Sequence, residues 1–162
     1  MMLTTKSSQN ILAATFTLGQ ASFGVDTAQI QEVVRLGTLT QVHHAPGYVV
    51  GIRNLRGRIV TVIDLCVRLD LGRAAIGPDS RILIVEGQGE PIGLLVDQVA
   101  DTIDVNPADI HPAPSNVNGV QSRYLRGVSR TGTRLVALLD LNAILQTAAD
   151  PGPRQIHEVT PA

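Results

Sequence analysis

Three arginines lie close together in one short segment of the chain: Arg53, Arg56 and Arg58, with Gly57 between the last two. Arginine is enriched among the residues that contribute most to binding at protein interfaces. The segment has two interpretations. It is either a solvated turn in which Gly57 supplies a positive φ, or a binding surface on an exposed loop. The spacing alone leaves both open.

Two aspartates, Asp64 and Asp140, each follow an apolar stretch and precede a short helical pattern. A pair of carboxylates is suited to acid–base catalysis. An aspartate at this place also accepts hydrogen bonds from the free N–H groups of a first helical turn. Because the same arrangement occurs twice in the chain, we expect both residues to be helix caps.

Histidine and cysteine form no pattern typical of a metal site or a nucleophile. His43 and His44 are adjacent, and successive side chains of a strand point to opposite faces. The single Cys66 lies in an apolar helical pattern, which favours a buried, unreactive thiol. The glycine-rich segment 87–93 has the wrong spacing for a dinucleotide site and lies in a predicted hairpin. We therefore expect no metal, no cofactor and no enzymatic activity.

The composition favours a strand-rich globular fold. The chain has 162 residues and is 44% hydrophobic but only 2% aromatic, so Val, Ile, Leu and Ala supply its apolar mass. Such a chain buries a core, is not disordered, and lacks the aromatic faces on which single-stranded nucleic acids stack. A net charge of −1 gives no field that favours nucleic acid or an anionic membrane. No segment approaches the roughly 18 apolar residues of a membrane span, and we expect a cytoplasmic location.

Short alternating apolar segments predict a mostly β fold. Segments 14–18 and 23–26 flank Gly19-Gln20, which is typical of a hairpin turn, and segments 81–86 and 91–96 predict a second hairpin. One helix is predicted over residues 27–35, where three aliphatic residues lie at helical spacing. Strands buried on both faces are predicted at Ile59–Ile63 and Leu135–Leu139.

A weak internal repeat organises the chain. Gly51 leads through a basic turn into a strand that ends at Asp64, and Gly127 leads in the same way to Asp140, 13 residues later in both cases (64 − 51 and 140 − 127). Short strands interrupted by glycine suggest two small barrels, which close on themselves and leave no edge exposed. We predict an N-terminal arm (1–11), one domain (12–147) with halves at about 12–72 and 80–147 between which strands can be exchanged, and a mobile tail (148–162).

The sequence resembles the CheW family, the coupling proteins of bacterial chemotaxis, at Gly51-x-x-Asn54-Leu55-Arg56-Gly57 and the following Val60-x-Val62-Ile63-Asp64-Leu65. The resemblance implies a CheW-like fold of two SH3-like, five-stranded β-barrel lobes around a shared core, with a few short helices and no catalytic activity. Further matching motifs occur in order at Phe16–Gly19, Phe23–Asp26, Ile30–Val33, Gly93–Asp97 and Ile110–Pro114.

The resemblance also implies the partners. Members of the family join the cytoplasmic tips of chemoreceptors to the regulatory domain of the histidine kinase CheA. We therefore expect a cytoplasmic scaffold, recruited to membrane-associated receptor arrays, that neither binds nucleic acid nor inserts into the membrane. An adaptor of a pathway controlling twitching motility, second-messenger synthesis or development is the alternative. From the residues alone, a metabolite-binding or catalytic barrel and an RNA-binding barrel are the rival classes.

Three binding surfaces are implied by the positions that match the family. In the receptor-facing groove, apolar side chains accept a helical hairpin while Glu32 and Arg56 fix its register at the rim. Kinase contacts are expected on the second lobe, and a ring-forming contact near residues 110–116. The predicted residues are Ile30, Glu32, Val33, Gly51, Arg56 and Gly57 for the receptor, Arg81, Ile82 and Leu83 for the kinase, and Ile110, His111, Pro112 and Asn116 for the ring. The chain departs from the family pattern at Arg53, Thr61, Cys66, His111 and Asn116, which leaves the identity of the partners and the ring contact open.

Overall fold

The structure, a computed structural model, describes residues 10–117 and 119–149. Most of the predicted arm and tail, residues 1–9 and 150–162, lies outside the described residues. Strands dominate the rest of the chain, so the mostly β prediction is confirmed. The strands are β1 (Ile11–Leu18), β2 (Ala21–Asp26), β3 (Ile30–Arg35), β4 (Val49–Leu55), β5 (Arg58–Asp64), β6 (Arg81–Gly87), β7 (Glu90–Val96), β8 (Gln98–Val105), β9 (Asn116–Val117), β10 (Val120–Gln121), β11 (Leu125–Thr131) and β12 (Arg134–Leu139), and the α-helices are α1 (Leu65–Arg68) and α2 (Leu141–Ala149).

Ten strands form two five-stranded sheets. We refer to the sheet of order β3-β6-β7-β5-β4 as lobe 1 and to the sheet of order β11-β12-β2-β1-β8 as lobe 2; β9 and β10 pair separately. Each lobe contains a hairpin from the other half of the chain, β6–β7 in lobe 1 and β1–β2 in lobe 2. Parallel pairing attaches these hairpins, β7 to β5 and β2 to β12. Separating the two halves of the chain, 12–72 and 80–147, would therefore break both sheets.

Three apolar clusters fill the molecule. One lies within lobe 1, one within lobe 2, and the largest, the shared core, takes side chains from both lobes. Along β6, Ile82 and Ile84 pack inside lobe 1 while Leu83 and Val85 pack in the shared core. This alternation follows the two-residue period of a strand, and it explains why the sequence of β6 is almost continuously apolar.

The two outer strands of each lobe meet at a point that we refer to as its seam. Beyond β3 the chain crosses to β4, where the backbones of Thr40 and Ile52 exchange hydrogen bonds of 2.9 and 2.8 Å. Beyond β8 the chain crosses to β11, where His111 and Val128 exchange two bonds of 2.9 Å. A single backbone bridge thus joins the edges of each sheet.

The predicted helix over residues 27–35 is wrong. Only Thr27–Gln29 forms a short 3-10 turn, in which the Asp26 carboxylate accepts a hydrogen bond of 2.9 Å from the backbone N–H of Ala28. Residues 30–35 form β3, which pairs with β6 and changes register between Ile30 and Glu32. Pairing with a distant strand overrides the local spacing, and β-branched side chains suit a strand.

Both repeat aspartates cap helices, as predicted. Asp64 Oδ1 accepts from the N–H groups of Cys66 (2.9 Å) and Val67 (3.4 Å) at the start of α1. Asp140 Oδ1 accepts from the N–H of Ala143 (3.2 Å) in α2. Their carboxylates are therefore occupied by backbone donors rather than presented to a substrate.

Candidate functional site

Arg56 and Gly57 form the two-residue turn between β4 and β5. Both have positive φ angles, 55° and 86°, which suits the twist of a tight hairpin. Asn54 Oδ1 accepts a hydrogen bond of 2.9 Å from the N–H of Gly57 and holds the turn. A non-glycine residue in this conformation costs about 1–2 kcal/mol. The arginine is therefore not explained by the needs of the turn.

The side chain of Arg56 forms a bidentate ion pair with Glu32 on β3. Nη1 lies 2.6 Å from Oε1, and Nη2 lies 2.8 Å from Oε2. Because β3 and β4 are the opposite outer strands of lobe 1, this pair spans the seam. The side chain of Arg56 is 68% exposed and that of Glu32 is 32% exposed, so a partner can reach both.

The ion pair shifts the pKa values of Glu32 and Arg56 in the directions that keep both groups charged. The hydrogen bond from Arg56 lowers the pKa of Glu32, desolvation opposes it, and the positive charges of Arg56 and Arg53 lower the pKa further. The same hydrogen bond, followed by the charge of Glu32, raises the pKa of Arg56. Opposite charges thus lie side by side on the surface of lobe 1.

Arg53 has a different role from Arg56, although the two are three residues apart. Its Nη1 donates to the carbonyl oxygens of Arg35 and Leu36 (3.2 Å to Leu36), at the end of β3 and just beyond it. Its guanidinium lies against Gly37, where an added Cβ would be 3.0 Å from Cζ. Arg53 therefore fastens the seam, while Arg56 and Arg58 are exposed.

The structure places some of the predicted receptor-facing residues on the exterior and others in the interior. Val33 is 44% exposed on the same strand as Glu32, while Ile30 is half-buried and packs against the shared core. Gly51 is buried: an added Cβ would lie 2.6 Å from the carbonyl oxygen of Thr40. Gly51 thus keeps the seam closed and supports the surface from inside. The predicted residues on the surface are Glu32, Val33, Arg56 and Gly57.

The predicted kinase-facing residues lie in a different environment from the one expected. We expected them on the second lobe, but β6 belongs to lobe 1. Ile82 and Leu83 are fully buried, so their side chains belong to the core and offer no contact surface. Arg81 is partly exposed, and its Nη1 donates to the carbonyls of Pro78 (3.0 Å) and Ser80 (2.8 Å).

Three of the predicted ring-forming residues, Ile110, His111 and Pro112, lie at or next to the seam of lobe 2, and Asn116 lies in the separate β9–β10 pair. His111 and Pro112 are exposed, and Ile110 is half-buried against the core of lobe 2. Asn116 is exposed in β9, and its Oδ1 accepts from the N–H of Gly119 at 3.0 Å. The three positions at the seam therefore belong to the lobe that does not carry the Glu32–Arg56 pair.

A cleft and a buried cysteine are the features of the structure that bear on a metabolite-binding or catalytic function. A cleft of about 410 Å³ is lined mainly by aliphatic side chains, with Thr61, Gln88 and Glu90 among its few polar residues. Cys66 is buried in the shared core, and desolvation, followed by the charges of Asp97 and Asp64, raises the pKa of its thiol to about 12. Residues 10–117 and 119–149 contain no cluster of three metal-ligating side chains and no helix able to cross a bilayer.

Sequence reasoning missed one group of residues altogether. Arg68 of α1 lies between the rings of Tyr48 and Tyr124. These are the only two tyrosines of the chain, and each lies three residues before a repeat glycine, Gly51 or Gly127. This shared spacing of three residues could have predicted that the two rings occupy corresponding positions in the two lobes.

Residues 13–149 match the family model described as the CheW-like domain. The chain belongs to the CheW-like family. It is 32% identical over 131 residues to the chemotaxis protein CheW of Rhizobium meliloti, covering 80% of this chain and 83% of that protein. It is 29% identical over 132 residues to the chemotaxis protein CheW of Klebsiella aerogenes (82% and 80% covered), and 31% identical over 134 residues to the protein FrzA of Myxococcus xanthus (82% and 84% covered).

The fold agrees with a solved CheW structure. The crystal structure of the scaffolding protein TtCheW from Thermoanaerobacter tengcongensis superimposes with a TM-score of 0.78, at 30% identity, over 89% of this chain and 93% of that one. The predicted CheW-like fold and the family resemblance are therefore confirmed. Two five-stranded sheets around a shared core are the framework that positions the Glu32–Arg56 pair.

Proposed function

We propose that this CheW-like chain is a non-catalytic scaffold of chemotaxis signal transduction that joins the cytoplasmic tips of chemoreceptors to a CheA-type histidine kinase at membrane-associated arrays. Its similarity to chemotaxis proteins named CheW, and to TtCheW, which is a scaffolding protein, supports this role. The observation that carries it in the chain itself is the exposed, bidentate Glu32–Arg56 pair across the outer strands of lobe 1.

The Glu32–Arg56 surface suits a helical partner. The ion pair offers charged groups of both signs at the outer strands of lobe 1, and Val33, the next residue of β3, is an exposed aliphatic side chain on the other face of that edge strand. A helical hairpin buries its apolar positions in a groove and is held in register by polar contacts at the rim. Arg56 keeps most of its surface free although it is paired, so a carboxylate of the partner can reach it from outside.

The other two surfaces complete the proposed scaffold. Among the predicted kinase-facing residues, Arg81 is the one with an exposed side chain, so we assign the kinase contact to the surface around it. The ring-forming contact is assigned to Ile110, His111 and Pro112 at the seam of lobe 2 and to Asn116 in β9. The proposed contacts therefore occupy both lobes, which the shared core holds together.

A sedimentation assay with the receptor signalling tip and the regulatory domain of the kinase tests this proposal. The parent chain is expected to sediment with both partners. Arg56→Glu places two carboxylates opposite each other, so we expect at least a tenfold loss of receptor binding with kinase binding retained. The double variant Glu32→Arg/Arg56→Glu restores an ion pair with the two charges exchanged, and it is expected to bind the receptor as weakly as Arg56→Glu.

Arg134→Glu is the matched control. Arg134 is exposed beside the β11–β12 turn of lobe 2, and its substitution changes the net charge by the same amount. Receptor binding is expected to survive this change. If the parent chain binds neither partner, the scaffold role is wrong. If Arg134→Glu weakens receptor binding as much as Arg56→Glu, the assigned surface is wrong.

A further inference from the structure

Arg68, the last residue of α1, lies between two aromatic rings. Its guanidinium carbon is 5.4 Å from the ring centroid of Tyr48 and 5.3 Å from that of Tyr124. Tyr48 immediately precedes β4 of lobe 1, and Tyr124 immediately precedes β11 of lobe 2. One cation therefore touches corresponding rings of both lobes.

Hydrogen bonding does not explain why an arginine occupies this place. Nη1 donates to the hydroxyl of Tyr124 at 3.2 Å, but Nε and Nη2 are buried with no acceptor in the described part of the chain. The cost of leaving buried donors unpaired is similar in size to the gain from two cation–π contacts. We therefore expect Arg68 to add little to the stability of the fold.

The repeat shows that the fold accepts an apolar side chain at this place. The positions of α1 and α2 correspond when Asp64 is aligned with Asp140, and Arg68 then corresponds to Ile144. Ile144 is fully buried in the shared core. Because an aliphatic residue fills the corresponding site in the other half, the arginine needs a reason other than filling space.

We propose that Arg68 is a positioning residue that sets the orientation of lobe 1 relative to lobe 2 through its cation–π contacts with both Tyr48 and Tyr124. A cation is attracted electrostatically to the faces of both rings, so the contacts favour the arrangement in which both rings lie over it, whereas an aliphatic side chain has no such attraction. The functional meaning rests on the proposed scaffold role: contacts on both lobes transmit a change only while the lobes keep a defined orientation.

A distance measurement between the lobes tests the positioning role without any partner. Spin labels are attached to Arg58→Cys and Arg134→Cys, two exposed residues at corresponding places, the first residues of β5 and β12. Cys66 is 3% exposed with its thiol pKa raised to about 12, so it stays unlabelled near neutral pH. Double electron–electron resonance then gives the distribution of distances between the two labels.

We expect Arg68→Met to widen this distribution at least twofold, and Arg68→Lys to give an intermediate width. Arg123→Met is the matched control, because Arg123 stacks on Tyr124 at 4.7 Å and donates to its hydroxyl within lobe 2 alone. This control is expected to leave the distribution unchanged. An unchanged width in Arg68→Met, or equal widening in Arg123→Met, would overturn the proposal.

Two further measurements separate positioning from folding and from the scaffold role. The melting temperature of Arg68→Met is expected to stay within a few degrees of that of the parent. If Arg68→Met fails to fold, Tyr48→Leu replaces it: this variant removes one of the two rings and is expected to widen the distance distribution in the same way. In the sedimentation assay, the affinity of Arg68→Met for each partner is expected to stay within twofold of that of the parent. In a kinase assay, the change in kinase activity that the receptor causes is expected to fall at least fivefold. Widening with unchanged kinase control would overturn the functional link and leave the scaffold role intact.

Discussion

The two seams of the molecule share a backbone and differ in their side chains. In both, the chain leaves an outer strand and forms one antiparallel bridge with the opposite outer strand. In both, a glycine lies against the bridge: an added Cβ would be 2.6 Å from the carbonyl oxygen of Thr40 at Gly51, and 2.6 Å from that of His111 at Gly127. The repeated features are therefore those that close the sheets.

The contacts made by Arg53 and Arg56 at the seam of lobe 1 have no counterpart at the matching positions of lobe 2. In lobe 1, Arg53 binds the carbonyls beyond β3, and Arg56 pairs with Glu32. The corresponding positions of lobe 2 hold Ser129, which is buried, and Gly132. Because lobe 2 closes without these charges, the fold does not require them. The residues that differ between the two lobes are therefore the candidates for a binding surface.

The largest effect is expected from filling the space at either repeat glycine. Gly51→Ala and Gly127→Ala each force the added Cβ against a carbonyl oxygen, and Gly127 also has a φ of 156°. We expect the free energy of unfolding to fall by about 2–4 kcal/mol in both variants, measured by urea denaturation. Gly57→Ala is the control: its φ is 86° with nothing within 4 Å of the added Cβ, and it should cost about 1 kcal/mol. Equal losses at Gly57 and Gly51 would show that backbone conformation, rather than closure of the seam, decides the effect.

A smaller and unequal effect is expected at the two helix caps. Asp64 accepts from Cys66 and Val67 and, through Oδ2, also from the N–H of Ala74 at 2.9 Å, whereas Asp140 accepts from Ala143. We expect Asp64→Ala to lower the free energy of unfolding by about 2 kcal/mol and Asp140→Ala by about 1 kcal/mol. The same denaturation assay measures both, with Asp64→Asn as a variant that keeps an acceptor oxygen. A greater loss at Asp140 would contradict the assignment of Asp64 as the cap that also anchors a loop.

The smallest effect is expected from the exposed ion pair, and it depends on pH. The pKa of Glu32 is lowered in the folded chain, so the contribution of the pair is present above the ordinary value of 4.5 and is lost as the pH falls through the lowered value. Thermal unfolding of the parent and of Glu32→Gln is therefore expected to differ slightly at neutral pH and to converge in acid. In an Arg56→Gln background, Glu32→Gln should have no such pH dependence. High salt should reduce the neutral-pH difference, because both groups are exposed.

Local chemistry and the internal repeat were enough to predict part of this molecule from its residues. Apolar alternation indicated the hairpin at Gly19-Gln20 and most of the strands, because side chains of a strand alternate between its faces. Asp64 and Asp140 could be recognised as caps because their partners lie two or three residues along the chain. The motif around Asn54 to Gly57 identified the family, since it combines a tight turn with the strand that follows it.

Contacts between distant segments were settled by the tertiary fold alone. Residues 30–35 became a strand because β6 pairs with them, and Ile82 and Leu83 became core because β6 lies inside lobe 1. Arg53 and Arg56 are near neighbours in sequence, yet their acceptors lie at the end of β3 and on Glu32. The contact of Arg68 with two tyrosines that lie in different lobes has the same origin. Each of these contacts joins residues far apart in the chain, and local periodicity carries no information about which strands become neighbours.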